Sequence, residues 1–382
     1  MAGAAVRRAR AVGAPLDLLL AGLLVAVRCG AVPGSCLSDA AAPQPIPLLS
    51  DGGPRLRGGA ARALKQRNIL VDTQCYDKAS EQVVDKDQYY PGYALEMSHR
   101  GDLLAFEVVP IKGGLVQAFS LNGTSVLLGK PTPDQMDGSI FWPSPQSIWN
   151  WPPPAQIDPV PSGEFQQVYA VGVDQLQGMV TLTSPVAPKL EISVRKSFSA
   201  VPALGAVLLS YEILNVGSAP KSLAPWEITR VPSNGVSFFA AGAERPTSGK
   251  WPPLPVETAE GATWFQQDPA RKGGGKLYSD AAKGWLAHFT GELLLVKCFQ
   301  RLHGVATAPG EKQIELYDGG DYVELELQGP YVSIMPGGGL SWKVMWYLRR
   351  PPPGSRDRKA LVSFADGLCS DPLHADSAMP RR

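Results

Sequence analysis

Apolar and polar residues alternate with a period of two along several segments of this 382-residue chain, and this pattern constrains its fold most. The alternation is clear at residues 190–195, 207–214, 323–328 and 341–348. A period of two places the apolar side chains on one face of a β-strand. The chain also contains 40 Gly and 36 Pro, which destabilise helix interiors. We therefore predict an all-β protein.

Three apolar runs predict more deeply buried strands, at residues 103–109, 115–119 and 293–299. Neither a Pro/Ser-rich linker nor an internal repeat interrupts residues 68–350, so this region is predicted to form one large antiparallel β-sandwich. Residues 351–382 are predicted to form a C-terminal tail that contains one short strand at 360–364.

The first 36 residues have the pattern of a secretory signal. Three arginines precede a short apolar run at residues 18–27, which is too short for a stable membrane anchor. The segment that ends at Cys36 is similar to a bacterial lipobox, so Cys36 is a candidate for lipidation and a membrane tether. The alternative is ordinary cleavage and a soluble secreted product. Residues 37–67 are predicted to be a flexible tether, and we expect an exported protein in the periplasm, on the cell surface or outside the cell.

Charge and motifs exclude several classes of protein. The chain has 36 basic and 35 acidic residues, so it lacks the positive surface of a nucleic-acid-binding protein. It contains no zinc-spaced Cys/His pattern, P-loop, dinucleotide fingerprint or GxSxG elbow, and we expect neither a metal nor another cofactor. The cysteines permit one disulfide without requiring it. The oligomeric state is open.

The densest candidate feature is the proline-rich segment 141–154, which contains Trp142, Trp149 and Trp151. Prolines restrict the backbone, so presenting aromatic rings costs less entropy. Flat aromatic faces can stack on the CH faces of sugars, and Gln146 can hydrogen-bond their hydroxyls. The alternative is a loop whose indoles form a small core of their own.

A second candidate lies at residues 224–232. In an extended strand Trp226 and Arg230 face one way and Glu227 faces the other. All three are candidates for ligand contact, because charged and aromatic residues at strand ends often line pockets. The alternative is that Glu227 and Arg230 form an ion pair that holds a strand end.

Glu324 and Glu326 form an acidic stripe beside apolar residues and are candidates for a general base. A solvated sheet face is the alternative explanation of this stripe. His288 lies on a predicted strand and is a candidate catalytic residue, with a structural, half-buried histidine as the alternative.

Three segments together resemble a poorly characterised bacterial branch of the galactose mutarotase-like, or aldose 1-epimerase-like, proteins. The resemblance covers roughly residues 68–350 and is carried by Phe141-Trp142-Pro143-Ser144-Pro145-Gln146, by Pro225-Trp226-Glu227-Ile228-Thr229-Arg230 and by Glu324-Leu325-Glu326-Leu327-Gln328-Gly329-Pro330-Tyr331. It implies a large antiparallel β-supersandwich with a concave face that binds carbohydrate.

The resemblance also implies roles for individual residues. Characterised mutarotases use a glutamate base and a histidine acid to move protons at the anomeric hydroxyl and the ring oxygen. Glu326 matches the position of the base, with Glu324 as the alternative, and His288 or His303 is the candidate acid. The Asn-His motif of the enzymes is not recognisable here, and Trp226-Glu227 occupies a comparable place.

Three hypotheses follow from the sequence. The first is an exported carbohydrate-binding protein with an aromatic platform for the sugar. The second is a sugar epimerase that uses Glu326 as its general base. The third is a structural envelope protein without a ligand.

Overall fold

A computed structural model describes residues 62–77, 82–129, 137–149, 157, 169–271, 273–302 and 305–370. The predicted signal segment, nearly all of the predicted tether, Trp151 and His303 lie outside these residues. Strand β1 begins at Arg62, earlier than the predicted domain start at residue 68.

Twenty-one strands and one α-helix make up the described fold. In chain order the strands are β1 (Arg62–Asp77), β2 (Gln82–His99), β3 (Asp102–Val109), β4 (Leu115–Leu121), β5 (Thr124–Ser125), β6 (Ser139–Ser144), β7 (Ala170–Asp174), β8 (Met179–Thr183), β9 (Ile192–Val201), β10 (Ala206–Asn215), β11 (Lys221–Pro232), β12 (Val236–Ala240), β13 (Val256–Ala259), β14 (Ala262–Gln266), β15 (Gly275–Ser279), β16 (Trp285–Thr290), β17 (Leu293–Phe299), β18 (Ile314–Asp318), β19 (Tyr322–Gln328), β20 (Val332–Ile334) and β21 (Gly339–Arg349). The all-β prediction is confirmed.

The strands form two large antiparallel sheets. The first sheet has the order β1-β2-β3-β4-β6-β11-β19-β18-β15, with β5 paired to β4 and β20 paired to β11. The second sheet has the order β13-β14-β12-β16-β17-β21-β10-β9-β8-β7. Strands from the middle and the end of the chain, such as β11 and β19, are neighbours in the first sheet.

The main core lies between the two sheets. Phe106 of β3 packs against Trp346 of β21 with ring centroids 5.8 Å apart, and Phe141 of β6 stacks on Tyr211 of β10 at 4.7 Å. Alternate side chains of strands such as β10 and β19 enter this core, as the sequence pattern predicts. On β19 these buried residues are Val323, Leu325 and Leu327.

The structure corrects the prediction for the C-terminal tail. Residues 360–364, predicted as a short strand, belong to helix α1 (Arg358–Cys369). The Asp357 carboxylate accepts a hydrogen bond of 2.9 Å from the backbone N–H of Ala360 and caps the helix. The buried residues of the helix join the main core, and these are Leu361, Val362 and Ala365.

A disulfide between Cys298 of β17 and Cys369 fixes the end of α1 to the second sheet, with the two Cα atoms 5.4 Å apart. In addition, Asp366 of the helix accepts a hydrogen bond of 2.8 Å from the Trp285 indole of β16. The described fold therefore continues beyond the predicted domain end at residue 350.

Candidate functional site

The candidate site lies on the outer face of the first sheet, which is the face turned away from the second sheet. Strands β11 and β19 pair there so that Trp226 is opposite Gln328 and Ile228 is opposite Glu326. Because side chains alternate along a strand, these residues share one face and their immediate neighbours point into the main core. The alternation seen in the sequence therefore places Trp226 and Glu326 together.

Three of the predicted tryptophans meet on this face. Trp142 of β6 packs edge-to-face against Trp226 at 5.3 Å and against Trp149 at 5.7 Å between ring centroids. The Trp149 indole N–H donates to the carbonyl oxygen of Pro143 at 2.8 Å, while Gln146 lies partly exposed in the short 3₁₀ turn just before Trp149. Trp142 and Trp226 are only 6% and 4% exposed, so their rings do not form an open platform in this structure.

A buried charged cluster lies beside the tryptophans. Lys276 of β15 approaches a carboxylate oxygen of Glu315 on β18 at 2.8 Å and one of Glu326 on β19 at 2.9 Å. The indole N–H of Trp226 donates to the same Glu326 oxygen, Oε2, at 2.9 Å. Lys276 Nζ also lies 5.2 Å from the centre of the Trp226 ring, a cation–π distance. The aromatic and charged residues thus form one connected site.

Burial shifts the protonation of this cluster. Loss of solvent raises the pKa of Glu326 to about 8 and that of Glu315 to about 7 against the attraction of Lys276. Burial by itself lowers the pKa of the Lys276 ammonium. The two carboxylates outweigh this effect and raise that pKa well above the ordinary value. Near neutral pH the cluster therefore holds the lysine charge and retains a proton on the carboxyl pair.

Two acceptor atoms of the cluster are buried with neither a hydrogen-bond partner nor an ion-pair partner. They are Oε1 of Glu326 and Oε1 of Gln328, and both residues are 0% exposed. Leaving a buried acceptor unpaired costs about 1–3 kcal/mol, and more for a charged group. Such atoms are rare in native proteins and commonly mark the position of a bound water or ligand.

Arg230 and Glu324 continue this face. The Arg230 guanidinium donates from Nε to Glu324 at 2.8 Å, and Arg230 is fully buried. The alternative prediction, an ion pair between Glu227 and Arg230, is therefore wrong, because these residues point to opposite faces of β11. Glu324, the alternative to Glu326, is occupied by this ion pair.

Glu227 lies in the main core, away from the tryptophan cluster. Its carboxylate accepts from Tyr211 at 2.6 Å and pairs with Lys297 of β17 at 2.7 Å. Both charged residues are 0% exposed. The predicted role of Glu227 in binding a ligand beside Trp226 is therefore not consistent with its position.

His288 lies in the second sheet, on β16, and not beside Glu326. Its Nδ1 atom is 3.0 Å from the hydroxyl oxygen of Ser237, and burial lowers its pKa to about 3. A histidine that stays neutral in this position cannot supply a proton at Glu326. The structure therefore does not pair the predicted base with the predicted acid His288.

Sequence reasoning missed Lys276 and Glu315. Both lie in short strands, β15 and β18, that join β19 through the sheet order. Glu315 alternates with apolar residues in the same way as Glu326, and this was the signal available in the sequence. Their approach to Glu326 depends on strand pairing between distant parts of the chain.

A separate open cleft of about 490 Å³ lies at the opposite end of β11 and β19. Its lining contains none of the predicted site residues and consists of Ser233, Asn234, Gln266, Gln267, Pro269, Arg271, Gly319, Gly320 and Asp321. We place the candidate site at the buried cluster, where unpaired acceptors and shifted pKa values coincide.

No group of three or more His, Cys, Asp or Glu side chains in the described part of the chain is arranged to hold a metal ion. No helix in the described ranges is long and apolar enough to cross a membrane.

No family model matches the chain, and no curated protein matches it. Solved structures do match this chain. A galactose mutarotase-like protein from Lactobacillus casei ATCC 334 is 9% identical with a TM-score of 0.45, and the match covers 67% of this chain and 100% of that chain. A putative aldose 1-epimerase from Escherichia coli K12 is 11% identical with a TM-score of 0.39, covering 67% and 99%.

A TPR-domain containing protein from Parabacteroides distasonis ATCC 8503 is also similar, at 13% identity and a TM-score of 0.48. That match covers 77% of this chain but only 56% of the other. At under 25% identity, these likenesses concern the fold alone. Identities and scores this low say nothing about activity.

Proposed function

We propose that this protein is an exported carbohydrate-binding protein whose ligand binds at the tryptophan and Glu326 cluster. The observation that carries the proposal is the pair of unpartnered acceptors, Glu326 Oε1 and Gln328 Oε1, beside Trp226. A sugar hydroxyl can donate to Gln328 Oε1 and to an ionised Glu326 Oε1, or accept from Glu326 Oε1 when that carboxyl is protonated. Sugar CH faces pack on indole rings.

The charge of the cluster agrees with a neutral ligand. Lys276 carries one positive charge, and the raised pKa values of Glu315 and Glu326 keep a proton on the carboxyl pair near neutral pH. One ammonium and one carboxylate then cancel. Because Trp142 and Trp226 are nearly closed to solvent, we further propose that Trp149 and its turn move when a sugar enters.

Export is part of the proposal and is supported by two independent features. The N-terminal basic and apolar pattern is typical of a secretory signal. The Cys298–Cys369 disulfide is of the kind that persists in oxidising compartments such as the periplasm and the extracellular space. Lipidation at Cys36 would tether the product to a membrane, and mass spectrometry of the mature N-terminus tests it.

Titration of the purified mature protein with a glycan panel tests the binding proposal, with intrinsic tryptophan fluorescence as the readout. We expect a saturable change for at least one neutral sugar. Trp226→Phe should weaken binding, because it removes the indole N–H that holds Glu326. Trp264→Phe is the matched control, since Trp264 lies in the second sheet and donates to the Ala259 carbonyl. A folded protein that responds to no sugar contradicts the proposal and favours a structural protein without a ligand.

A second candidate function is sugar epimerisation, and the shared lysine between two carboxyls favours it. Ring opening needs one group that accepts a proton and another that supplies one. Glu315 and Glu326, with raised pKa values of about 7 and 8, are suited to exchange these roles across Lys276. Glu315 would then take the place of the predicted histidine acid.

Polarimetry of freshly dissolved α-anomers of common aldoses tests this activity. We expect Glu326→Gln and Glu315→Gln each to abolish a rate enhancement that the wild type shows. Glu212→Gln is the control, since Glu212 pairs with Arg195 on the second sheet. If the wild type never changes the rate of anomerisation, the epimerase function is contradicted, and the binding proposal is decided by the fluorescence titration alone.

A further inference from the structure

A second polar cluster lies on the same first sheet, beyond Arg230. Asp137 lies just before β6, and Gln117 lies in β4 and hydrogen-bonds to the Asp137 carboxylate. Arg230 donates to the backbone carbonyl of Asp137 at 3.4 Å. Lys112 lies over the ring of Tyr90, 5.4 Å from its centre. Burial raises the pKa of Asp137, while Lys112 and Arg230 oppose this shift.

A β-bulge places Gln117 in this cluster. Strands β3 and β4 pair Glu107 with Ala118 but Val108 with Val116, so Gln117 is an extra residue without a partner in the ladder. A bulge redirects side chains, and bulges are over-represented next to active sites. The bulge therefore takes Gln117 out of the regular strand pairing, and its side-chain amide hydrogen-bonds to Asp137.

This cluster repeats the main feature of the Glu326 site. Oδ2 of Asp137 and Oε1 of Gln117 are buried without a hydrogen-bond partner, and both residues are 5% exposed. Glu326 with Gln328 and Asp137 with Gln117 are therefore two pairs of unsatisfied acceptors on one sheet, which also holds the unpartnered atoms Ser144 Oγ and Asp318 Oδ2. A bound water or ligand would supply the missing partners.

The two clusters are connected and suitably spaced. Arg230 contacts both Asp137 and Glu324, and Glu324 is two residues from Glu326 on β19. Asp137 and Glu326 lie two strands apart and about three residues apart along the strands, which gives roughly 14 Å between their backbone positions. Ile228 and Ile140 lie level with Glu326, and the paired Arg230 and Glu324 lie between that level and Asp137. This span exceeds one sugar ring.

We propose that Asp137 and Gln117 form a second hydroxyl-binding subsite, so that the ligand is a neutral oligosaccharide of at least two units. The inference rests on the proposed carbohydrate function and assigns its ligand class. Lys112 and Arg230 balance the charges of Asp137 and Glu324, so the subsite suits a neutral unit. One sugar would bind at Glu326, and the next would extend past Arg230 to Asp137.

Isothermal titration calorimetry with length series tests this proposal. The probes are D-glucose, D-galactose, D-mannose and N-acetylglucosamine, each compared with its di-, tri- and tetrasaccharides. For the series that binds, the wild type should bind the oligosaccharide at least about tenfold more tightly than the monosaccharide, because two further buried acceptors gain donors. Asp137→Asn and Gln117→Leu should remove most of this gain and leave monosaccharide affinity unchanged.

The control is Asp174→Asn, which changes a partly exposed carboxylate at the end of β7 and should alter neither affinity. Circular dichroism and retained monosaccharide binding show that the variants are folded. Equal wild-type affinity for short and long sugars overturns the subsite and leaves the carbohydrate function intact. Equal loss of both affinities in the variants also overturns it, since the cluster then only supports the fold. Absence of any sugar binding overturns both proposals.

Discussion

Replacing Lys276 with methionine should destabilise the protein strongly and in a pH-dependent way. Lys276 is 7% exposed and lies 2.8 Å and 2.9 Å from the carboxylates of Glu315 and Glu326. Lys276→Met keeps most of the apolar side chain but removes the cation between two buried acids. Breaking a buried ion pair from one side costs about 3–5 kcal/mol, which we expect for the free energy of unfolding at pH 8.

The sign of the pH dependence follows from the raised pKa values. In the folded wild type Glu315 and Glu326 have pKa values of about 7 and 8, above the ordinary value of 4.5. The folded state therefore binds more protons than the unfolded state between pH 4.5 and 8, and stability falls as the pH rises through this window. Loss of Lys276 raises both pKa values further and widens the window. The cost of Lys276→Met should therefore be clearly smaller at pH 5, where both folded carboxyls are protonated.

Urea unfolding followed by far-UV circular dichroism at pH 5 and pH 8 measures this difference. Lys65→Met is the matched control, because Lys65 pairs with Glu96 at a site where the lysine side chain is 57% exposed. An exposed pair of this kind contributes about 0–1 kcal/mol. A cost below about 1 kcal/mol for Lys276→Met at pH 8, or an equal cost at both pH values, would refute the reasoning.

Two further predictions concern the second sheet. Lys297→Met should lower the free energy of unfolding by about 3–5 kcal/mol, because it removes the cation that pairs with the buried Glu227 carboxylate. Adding Glu227→Leu should restore most of the loss. Urea unfolding of the two variants measures this recovery, and a double variant no more stable than the single one contradicts it. Replacing Cys298 and Cys369 together with serine should cost about 4 kcal/mol, since the disulfide closes a loop of 71 residues. Thermal unfolding measures this cost, and a loss below about 1 kcal/mol would show that packing alone holds the helix.

Alternation of apolar and polar residues was sufficient to predict most of the fold. It identified β10, β19 and β21 because each has one face in the core and one outside it. It failed at residues 360–364, where a short apolar run fits a strand or a helix equally well. The Asp357 cap and packing against the second sheet decide in favour of the helix.

The candidate site was predictable only in part. Alternation placed Trp226 and Glu326 on compatible faces, and strand pairing brought them to hydrogen-bond distance. Their partners Lys276 and Glu315 come from strands whose positions depend on the order of the whole sheet, which local patterns do not contain. Local patterns do not show that His288 belongs to the other sheet, and so its predicted pairing with Glu326 was wrong.

Isothermal titration calorimetry of Glu326→Gln beside the wild type tests the central claim most directly. The ligand is the monosaccharide that the fluorescence panel identifies. The titrations are made at pH 9, above the pKa of about 8 of the Glu326 carboxyl. If the sugar binds through Glu326 Oε1, the substitution should weaken binding at least about tenfold there while the far-UV spectrum stays unchanged, since a hydrogen bond to a charged acceptor contributes about 1.5–3 kcal/mol. Equal affinity of the two proteins would contradict the account and place the ligand away from this cluster.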